Sequence, residues 1–235
     1  MNFSVAVSAL RAAFDRQANT ANNIANVSTH GFKASRVTQQ DSIGGGVQIS
    51  AVQRDLSQGS LEPTGRPLDM AVSGRGFLAV ETPKGQRFTR FGAFGLDAGG
   101  RIVDGQGNQL SPGFTVPGNA VAVNVSRDGV VSATMPDGSS QQLGAVEVYT
   151  FANPGGLQAL GDGLFSPTAS SGVPGPAQPG SPGRGEVIAG FLEGSNVSLP
   201  RELTDQIVNK VTLSANIASI RARDDMLGEL LDTVR

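Results

Sequence analysis

The sequence predicts a mainly β protein with an α-helix at each end. Apolar residues recur at steps of three and four in the first and last segments, as they do along one face of a helix. The middle holds short apolar runs separated by turn residues, and 32 glycines and 13 prolines among 235 residues suit a turn-rich protein. We expect an antiparallel β-domain in the middle, and terminal helices that pack as a coiled-coil-like core.

The first helix is predicted over residues 3 to 27, within an N-terminal segment of residues 1–30. It should close near Gly31, because glycine readily takes the left-handed conformation. Four asparagines between positions 19 and 26 each cost about 0.6 kcal/mol in helix propensity relative to alanine. They indicate either a frayed end with local caps or amides that select one register in a packed seam. The apolar face of this helix is formed by Val7, Leu10, Phe14, Ala18, Ala21 and Ile24.

The middle of the chain divides into two predicted regions. Residues 31–67 are expected to be an extended linker or hairpin region, in which Val47, Ile49 and Ala51 alternate with polar residues as in a strand. Residues 68–192 are expected to be a β-rich outer domain of hairpins, with Asp-Gly turn signals at 128–129 and 137–138. Within it, residues 166–185 are rich in proline and glycine and predict an exposed loop.

The last helix is predicted over residues 199 to 234, within a C-terminal segment of residues 193–235. Ser198 and Pro200 suit its cap and first turn. Asp224 is the one polar residue at a position where the seven-residue repeat of this helix calls for an apolar one. The ladder consists of Leu213, Ile217, Ile220, Leu227, Leu231 and Val234.

Composition favours a structural subunit and not an enzyme. With 18 basic and 20 acidic residues mixed along the chain, nucleic acid is not an expected partner. The absence of cysteine and the single histidine, His30, argue against a metal or cofactor, so none is expected. Asp69, Asp97 and Asp104 lie beside turn residues, which does not indicate a paired-carboxylate site. No membrane insertion and no cleavable signal peptide are expected.

Two terminal motifs and the middle of the chain resemble a known family. ANNIANVSTHGFK at 21–33 and SNVSLPREL at 195–203 are similar to the signatures of bacterial flagellar rod and hook proteins. GRPLDMAVSGRGFLAV and RFTRFGAFGLDAGGRIVDGQGNQL most resemble the distal-rod members. The chain departs from the family in its last helix, where VTLSAN at 211–216 keeps only Ala215 and Asn216 of the usual run, and in a shorter segment after Lys33.

The resemblance implies a structural subunit of the flagellar rod, the drive shaft that spans the periplasm. Such a subunit polymerises helically through its terminal helices and transmits torque for motility. Its implied partners are copies of itself, other rod and hook axial proteins, the surrounding ring or bushing proteins, and the flagellar type III export apparatus. A proximal-rod or hook-type paralogue is one alternative, and a β-rich secreted or surface binding module is another.

The expected assembly residues share the terminal motifs and the apolar helix faces. In the first segment they are Leu10, Phe14, Asn22, Asn23, Ile24, Asn26, Gly31 and Phe32. In the last segment they are Ser195, Asn196, Val197, Leu203, Ile207, Asn216, Ile217, Ile220, Leu227 and Leu231.

Overall fold

The structure is a computed structural model that describes residues 3–42 and 45–233. The chain forms two compact units. The first, which we call the helical unit, comprises the described residues of Met1–Val27, Ala34–Asp55 and Val197–Arg235. The second, which we call the β unit, comprises Ser28–Lys33 and Leu56–Asn196.

The helical unit contains both predicted helices and one hairpin. Helix α1 spans Phe3–Ala25 and helix α2 spans Leu199–Thr233, which confirms an α-helix in each terminal segment. Val234 lies outside the described residues. The hairpin pairs β1, Ser35–Asp41, with β2, Val47–Arg54, in antiparallel register. Strand β2 covers the stretch in which alternation predicted a strand.

The two helices pack against each other in opposite directions. Asn23 on α1 contacts Glu202 on α2, and Thr20 contacts Asn209. Residue numbers therefore fall along α1 as they rise along α2. This pairing brings the two ends of the sequence into one unit.

The β unit contains sixteen strands among its described residues, and every pairing is antiparallel, as predicted. The first eight are β3 Leu61–Pro63, β4 Met70–Ser73, β5 Leu78–Thr82, β6 Gly85–Thr89, β7 Phe94–Leu96, β8 Ile102–Asp104, β9 Gln109–Ser111 and β10 Ala122–Val125. The others are β11 Val130–Thr134, β12 Ser140–Ala145, β13 Val148–Thr150, β14 Gln158–Gly161, β15 Leu164–Ser166, β16 Gly175–Ala177, β17 Glu186–Ala189 and β18 Phe191–Glu193.

One sheet of seven strands dominates the β unit, in the order β14-β15-β6-β5-β9-β8-β7. A three-stranded sheet, β10-β11-β12, has turns at the predicted Asp-Gly sites. The short strands β3 and β4 pair with β18 and β17, so the beginning and end of this unit close on each other. The longer segment of the β unit, Leu56–Asn196, thus begins and ends in strands that pair with each other.

Alternating side chains fill two apolar clusters in the β unit. The larger cluster contains Met70, Leu78, Ile102 and Val131, all without exposed surface. The smaller is aromatic: the rings of Phe77 and Phe151 meet edge to face at 5.8 Å. Burial of an aliphatic or aromatic side chain contributes roughly 1.5–3 kcal/mol, so these clusters stabilise the β unit.

The proline- and glycine-rich segment 166–185 differs from the expected exposed loop. Gly175–Ala177 forms strand β16, which pairs with β13. Ser171 is fully buried, and its hydroxyl donates to the carbonyl of Thr168 and accepts from the amide of the same residue. Hydrogen bonds of backbone and hydroxyl groups order this segment although it lacks large apolar side chains. Such hydrogen bonds cannot be predicted from composition. Val173, at 87% exposed, is one residue that keeps the expected exposure.

Candidate assembly surfaces

A polar contact holds α1, α2 and the hairpin together near one end of the helix pair. The Asn23 amide nitrogen donates to the Ser35 carbonyl at 2.9 Å and to the Glu202 carboxylate at 3.0 Å. The Ser35 amide donates to the Asn23 side-chain oxygen at 3.0 Å. Asn23, Ser35 and Glu202 are all buried. One asparagine therefore satisfies polar groups on three elements.

The sequence left two interpretations of the α1 asparagines open: local caps at the helix end, or amides packed in a seam. The other asparagines of α1 include examples of both. Asn19 donates to the Ser35 carbonyl at 2.6 Å and so joins the contact around Asn23. Asn26 donates to the Asn22 carbonyl one turn earlier, which is a local closing bond at the helix end. Asn22 itself is exposed. Two asparagines thus pack in the seam, and the other two lie near the C-terminal end of α1, where Asn26 makes a local hydrogen bond.

The apolar residues expected at the seam are buried to different degrees. Leu10 and Ile24 on α1 are half-buried, as are Leu213, Ile217 and Ile220 on α2. Asn216 lies beside them and is also half-buried. In contrast, Phe14 is 54% exposed in the single chain. The side chain of Leu231 lies outside what the structure describes.

A second apolar row on α2 is open to solvent. Leu199, Leu203, Ile207 and Val211 follow one another at steps of four and are 40%, 45%, 65% and 63% exposed. We call these four residues the α2 stripe. Farther along the helix, Met226 and Leu227 are also exposed. A contiguous exposed apolar surface of this kind marks an interaction site in soluble proteins.

In the β unit, the expected residue Gly31 sits at a tight chain crossing. Its φ of +68° confirms the left-handed conformation, but Gly31 does not close the first helix, because α1 ends at Ala25. Its amide donates to the Glu193 carbonyl at 2.6 Å. A Cβ at this position would lie 2.6 Å from the Phe91 backbone nitrogen, so the crossing leaves no space for a side chain.

Lys33, two residues beyond Gly31, belongs to a buried cluster in which one carboxylate pairs with two cationic side chains. The Lys33 ammonium lies 2.6 Å from one oxygen of Glu193, and the Arg90 guanidinium lies 3.0 Å from the other. We call Lys33, Arg90 and Glu193 the buried charge cluster. The side chains of Lys33 and Glu193 have no exposed surface. Burial lowers the pKa of Arg90, and the Glu193 carboxylate opposes that shift.

Backbone groups add further hydrogen bonds to this cluster. The Lys33 ammonium also donates to the Ser57 carbonyl, and the Gly59 amide donates to Glu193. Arg90 donates to the carbonyls of Val72 and Gly74. Buried charges are tolerated when they are paired and hydrogen-bonded, and each of these three side chains is both, although the Nε of Arg90 has no hydrogen-bond partner among the described residues.

The remaining expected residues lie near the same crossing or just beyond it. The Asn196 side chain donates to the Ser57 carbonyl and hydroxyl, both at 3.1 Å. Phe32 and Ser195 are half-buried. Val197, also half-buried, belongs to the helical unit.

The charged residues that form these buried contacts were not predicted from the sequence. Lys33, Glu193, Arg90 and Glu202 were not among the expected assembly residues. Charged residues are almost never fully buried unless paired, and their partners here are distant in the sequence. Lys33 closes the ANNIANVSTHGFK motif, which was the one signal that could have drawn attention to it.

Asp97 and Asp104, two of the three aspartates beside turn residues, accept hydrogen bonds from backbone amides of their turns. The Asp97 carboxylate accepts from the amides of Gly99 and Arg101 and from the Arg101 guanidinium, and the hydrogen bond from the Arg101 backbone leads the causes that lower the pKa of Asp97. Asp104 likewise accepts from the amides of Gln106 and Asn108. His30 also lies in a turn, with its ring 3.4 Å from the exposed Glu62 carboxylate.

Neither helix in the described part of the chain has a stretch that is both apolar and long enough to span a bilayer. Within residues 3–42 and 45–233, acidic and histidine side chains form no group of three or more suited to a metal ion.

Three family models match separate parts of the chain. The flagella basal body rod protein model matches residues 3–33, which include α1. The flagellar hook protein FlgE/F/G D1 domain model matches residues 71–133 in the β unit. The flagellar basal body rod FlgEFG protein C-terminal model matches residues 188–233, which include α2.

Individual proteins match along most of their length. The flagellar basal-body rod protein FlgG of Caulobacter vibrioides is 35% identical, with 88% of each chain covered. FlgG of Bacillus subtilis is 35% identical, with 91% of each chain covered. FlgF of Escherichia coli is 29% identical, with 95% of this chain and 94% of the relative covered.

The chain belongs to the flagellar basal-body rod protein family. It is therefore a structural protein of the flagellar basal body and not an enzyme, which confirms both the resemblance and the expected class. Membership in this family also supports assembly with other rod and hook proteins.

Proposed function

We propose that this chain polymerises helically into the flagellar rod through α1 and α2 and transmits torque in the assembled shaft. The distal rod is the position we favour, because FlgG is the distal-rod member of the family and the FlgG relatives are 32–35% identical, whereas the FlgF relative is 29% identical. The β unit then forms the outer domain.

The observation that carries this proposal is the α2 stripe. Each of its four aliphatic side chains stays partly or largely exposed in the single chain. Full burial of such a side chain contributes roughly 1.5–3 kcal/mol, so covering the stripe strongly favours association. Phe14 adds an exposed aromatic ring on α1.

Torque transmission requires a subunit that resists deformation. The buried charge cluster joins residues distant in sequence, and every described charge in it has a partner at 3.0 Å or less. Moving one member of a buried ion pair leaves another charge unpaired, so such pairs resist deformation. The cluster thus supports the proposed mechanical role of the β unit.

The family relationship supports the further partners and the location. We infer a periplasm-spanning rod whose subunits contact copies of themselves, other axial proteins and the surrounding ring or bushing proteins. We also infer export through the flagellar type III apparatus without a cleavable signal peptide.

The test replaces the centre of the stripe in a strain that lacks the native gene. Leu203→Asp with Ile207→Asp should abolish incorporation into extracted hook and basal-body complexes, and motility with it. Gln206→Asp with Ser214→Asp is the matched control, because both are exposed polar residues on the same helix and the pair adds the same two negative charges. Circular dichroism of each purified variant verifies folding. Normal incorporation of the double variant would contradict assembly through α2.

A further inference from the structure

A polar pocket in the helical unit is lined by three arginines, two of which form no ion pair with another described residue. The pocket is about 240 Å³ in volume and lies among α1, β1 and the start of α2. Its lining includes Arg16, Arg36 and Arg201, and we call it the arginine pocket. The volume is large enough to admit the carboxylate of an aspartate or glutamate side chain.

The acids near the pocket do not neutralise these arginines. Among the described residues, neither Arg16 nor Arg201 forms an ion pair, although Glu202 and Asp205 line the same pocket. Glu202 is instead held by the Asn23 amide at 3.0 Å. Arg36 lies 3.7 Å from Asp55, so it is already paired at the rim.

Arg16 also has a buried hydrogen-bond donor that lacks an acceptor. Its Nε is buried and has no hydrogen-bond partner in the described part of the chain. A buried donor without an acceptor costs about 1–3 kcal/mol, and more when the group is charged. An incoming carboxylate would supply the missing acceptor and a charge of the correct sign.

The other end of α2 offers such carboxylates. Asp225 and Glu229 lie one turn apart, and both are exposed. Neither forms an ion pair with another described residue. We call these two residues the acidic face. At a rise of ~1.5 Å per residue, Asp205 at the pocket and Asp225 on the acidic face lie about 30 Å apart along the helix.

We propose that the arginine pocket of one copy receives the acidic face of α2 from a second copy, with Arg16 and Arg201 as the receiving side chains. The two surfaces lie at opposite ends of one helix pair, so the acidic face of a copy cannot reach the arginine pocket of the same copy. Head-to-tail contacts of this kind build open filaments when the rotation between copies does not close a ring. This inference rests on the proposed polymerisation and specifies which charged surfaces meet.

The first test exchanges the charges. Arg16→Glu with Arg201→Glu, and separately Asp225→Lys with Glu229→Lys, should each reduce the polymerised fraction at least about tenfold in low salt. One chain that carries all four changes should recover polymerisation, because its two inverted surfaces match again. Arg11→Glu with Asp15→Lys is the control, since both residues are exposed on α1 and neither lines the pocket.

The second test uses the absence of native cysteine. Arg201→Cys with Asp225→Cys should give a ladder of disulfide-linked oligomers under mild oxidation. The two positions are about 36 Å apart on α2, far beyond the reach of a disulfide within one chain. Asp137→Cys with Asp225→Cys is the control pair and should give no ladder of disulfide-linked oligomers.

The outcomes separate this inference from the proposed function. If the wild-type chain polymerises but the single-end charge variants do so equally well, or the fourfold variant folds without recovering, the pairing is wrong and the proposed function stands. If the wild-type chain neither polymerises nor enters the basal body, both are wrong. A cross-linked ladder together with fourfold recovery supports the pairing.

Discussion

Lys33 and Glu193 are 160 residues apart in the sequence, yet their charged atoms lie 2.6 Å apart, with both side chains fully buried. The pair joins the beginning of the β unit to its last strand. Arg90 adds a second cation to the same carboxylate. Removing one member of a buried pair leaves an uncompensated charge, which usually costs about 3–5 kcal/mol.

We expect Glu193→Gln to lower the free energy of unfolding of the β unit by about 3–5 kcal/mol, because it leaves two buried cations without a counter-charge. Lys33→Met should cost less, since Arg90 and Glu193 remain paired. Urea denaturation followed by Tyr149 fluorescence measures both, because Tyr149 is the sole tyrosine and tryptophan is absent. Glu62→Gln, which removes an exposed carboxylate near His30, is the control. An equal effect of Glu193→Gln and Glu62→Gln would contradict the assigned role of the cluster.

Asn23→Ala should destabilise the helical unit by about 1–3 kcal/mol, because the Ser35 amide and the Glu202 carboxylate lose their buried partner. Asn22→Ala should be neutral or slightly stabilising, since Asn22 is exposed and alanine is the better helix former. Thermal melting followed by circular dichroism compares the two. Equal melting temperatures would show that the Asn23 contact contributes nothing.

Gly31→Ala should destabilise the β unit more than Gly65→Ala. Both glycines have left-handed φ angles, +68° and +70°, so both variants incur a similar backbone cost of ~1–2 kcal/mol. A Cβ at Gly31 would also meet the Phe91 backbone at 2.6 Å, whereas Gly65 has no atom within 4 Å of that position. We expect an additional loss of about 1–3 kcal/mol at Gly31 from overpacking, measured by urea denaturation. A difference near zero would mean that the crossing relaxes freely.

Tyr149 should titrate with a pKa of about 12 in the folded protein. Burial is the main cause, and the hydrogen bond from the phenol to Glu147, at 2.7 Å, adds to it. In the unfolded chain a tyrosine titrates near ~10. Between about pH 10 and 12 the unfolded chain therefore loses a proton that the folded chain keeps, so stability falls as pH rises through this window.

Ultraviolet absorbance of phenolate measures this titration without interference, because the chain contains a single tyrosine. The titration in concentrated urea gives the unfolded reference. Glu147→Gln should lower the pKa of Tyr149 relative to the wild type, since the carboxylate no longer favours the protonated phenol. A folded-state midpoint near that of the urea-unfolded chain would contradict the burial of the phenol.

Local sequence determined the elements and the family. The periodicity of residues 3–25 and 199–233 was enough to predict two helices, because side chains three and four positions apart share a face whatever the rest of the chain does. The backbone conformation of Gly31 and of the Asp-Gly turns could also be predicted, because conformation at such sites depends on the residue itself. The terminal motifs then identified the rod and hook family.

Only the tertiary structure decided which partner each of those residues meets. Asn22 and Asn23 are neighbours with the same side chain, yet one is exposed and the other satisfies Ser35 and Glu202. Lys33 and Glu193 show no local pattern that pairs them, and segment 166–185 is ordered by hydrogen bonds that composition does not reveal. The energies of these contacts come from burial and from long-range pairing, and both exist only once distant segments have come together.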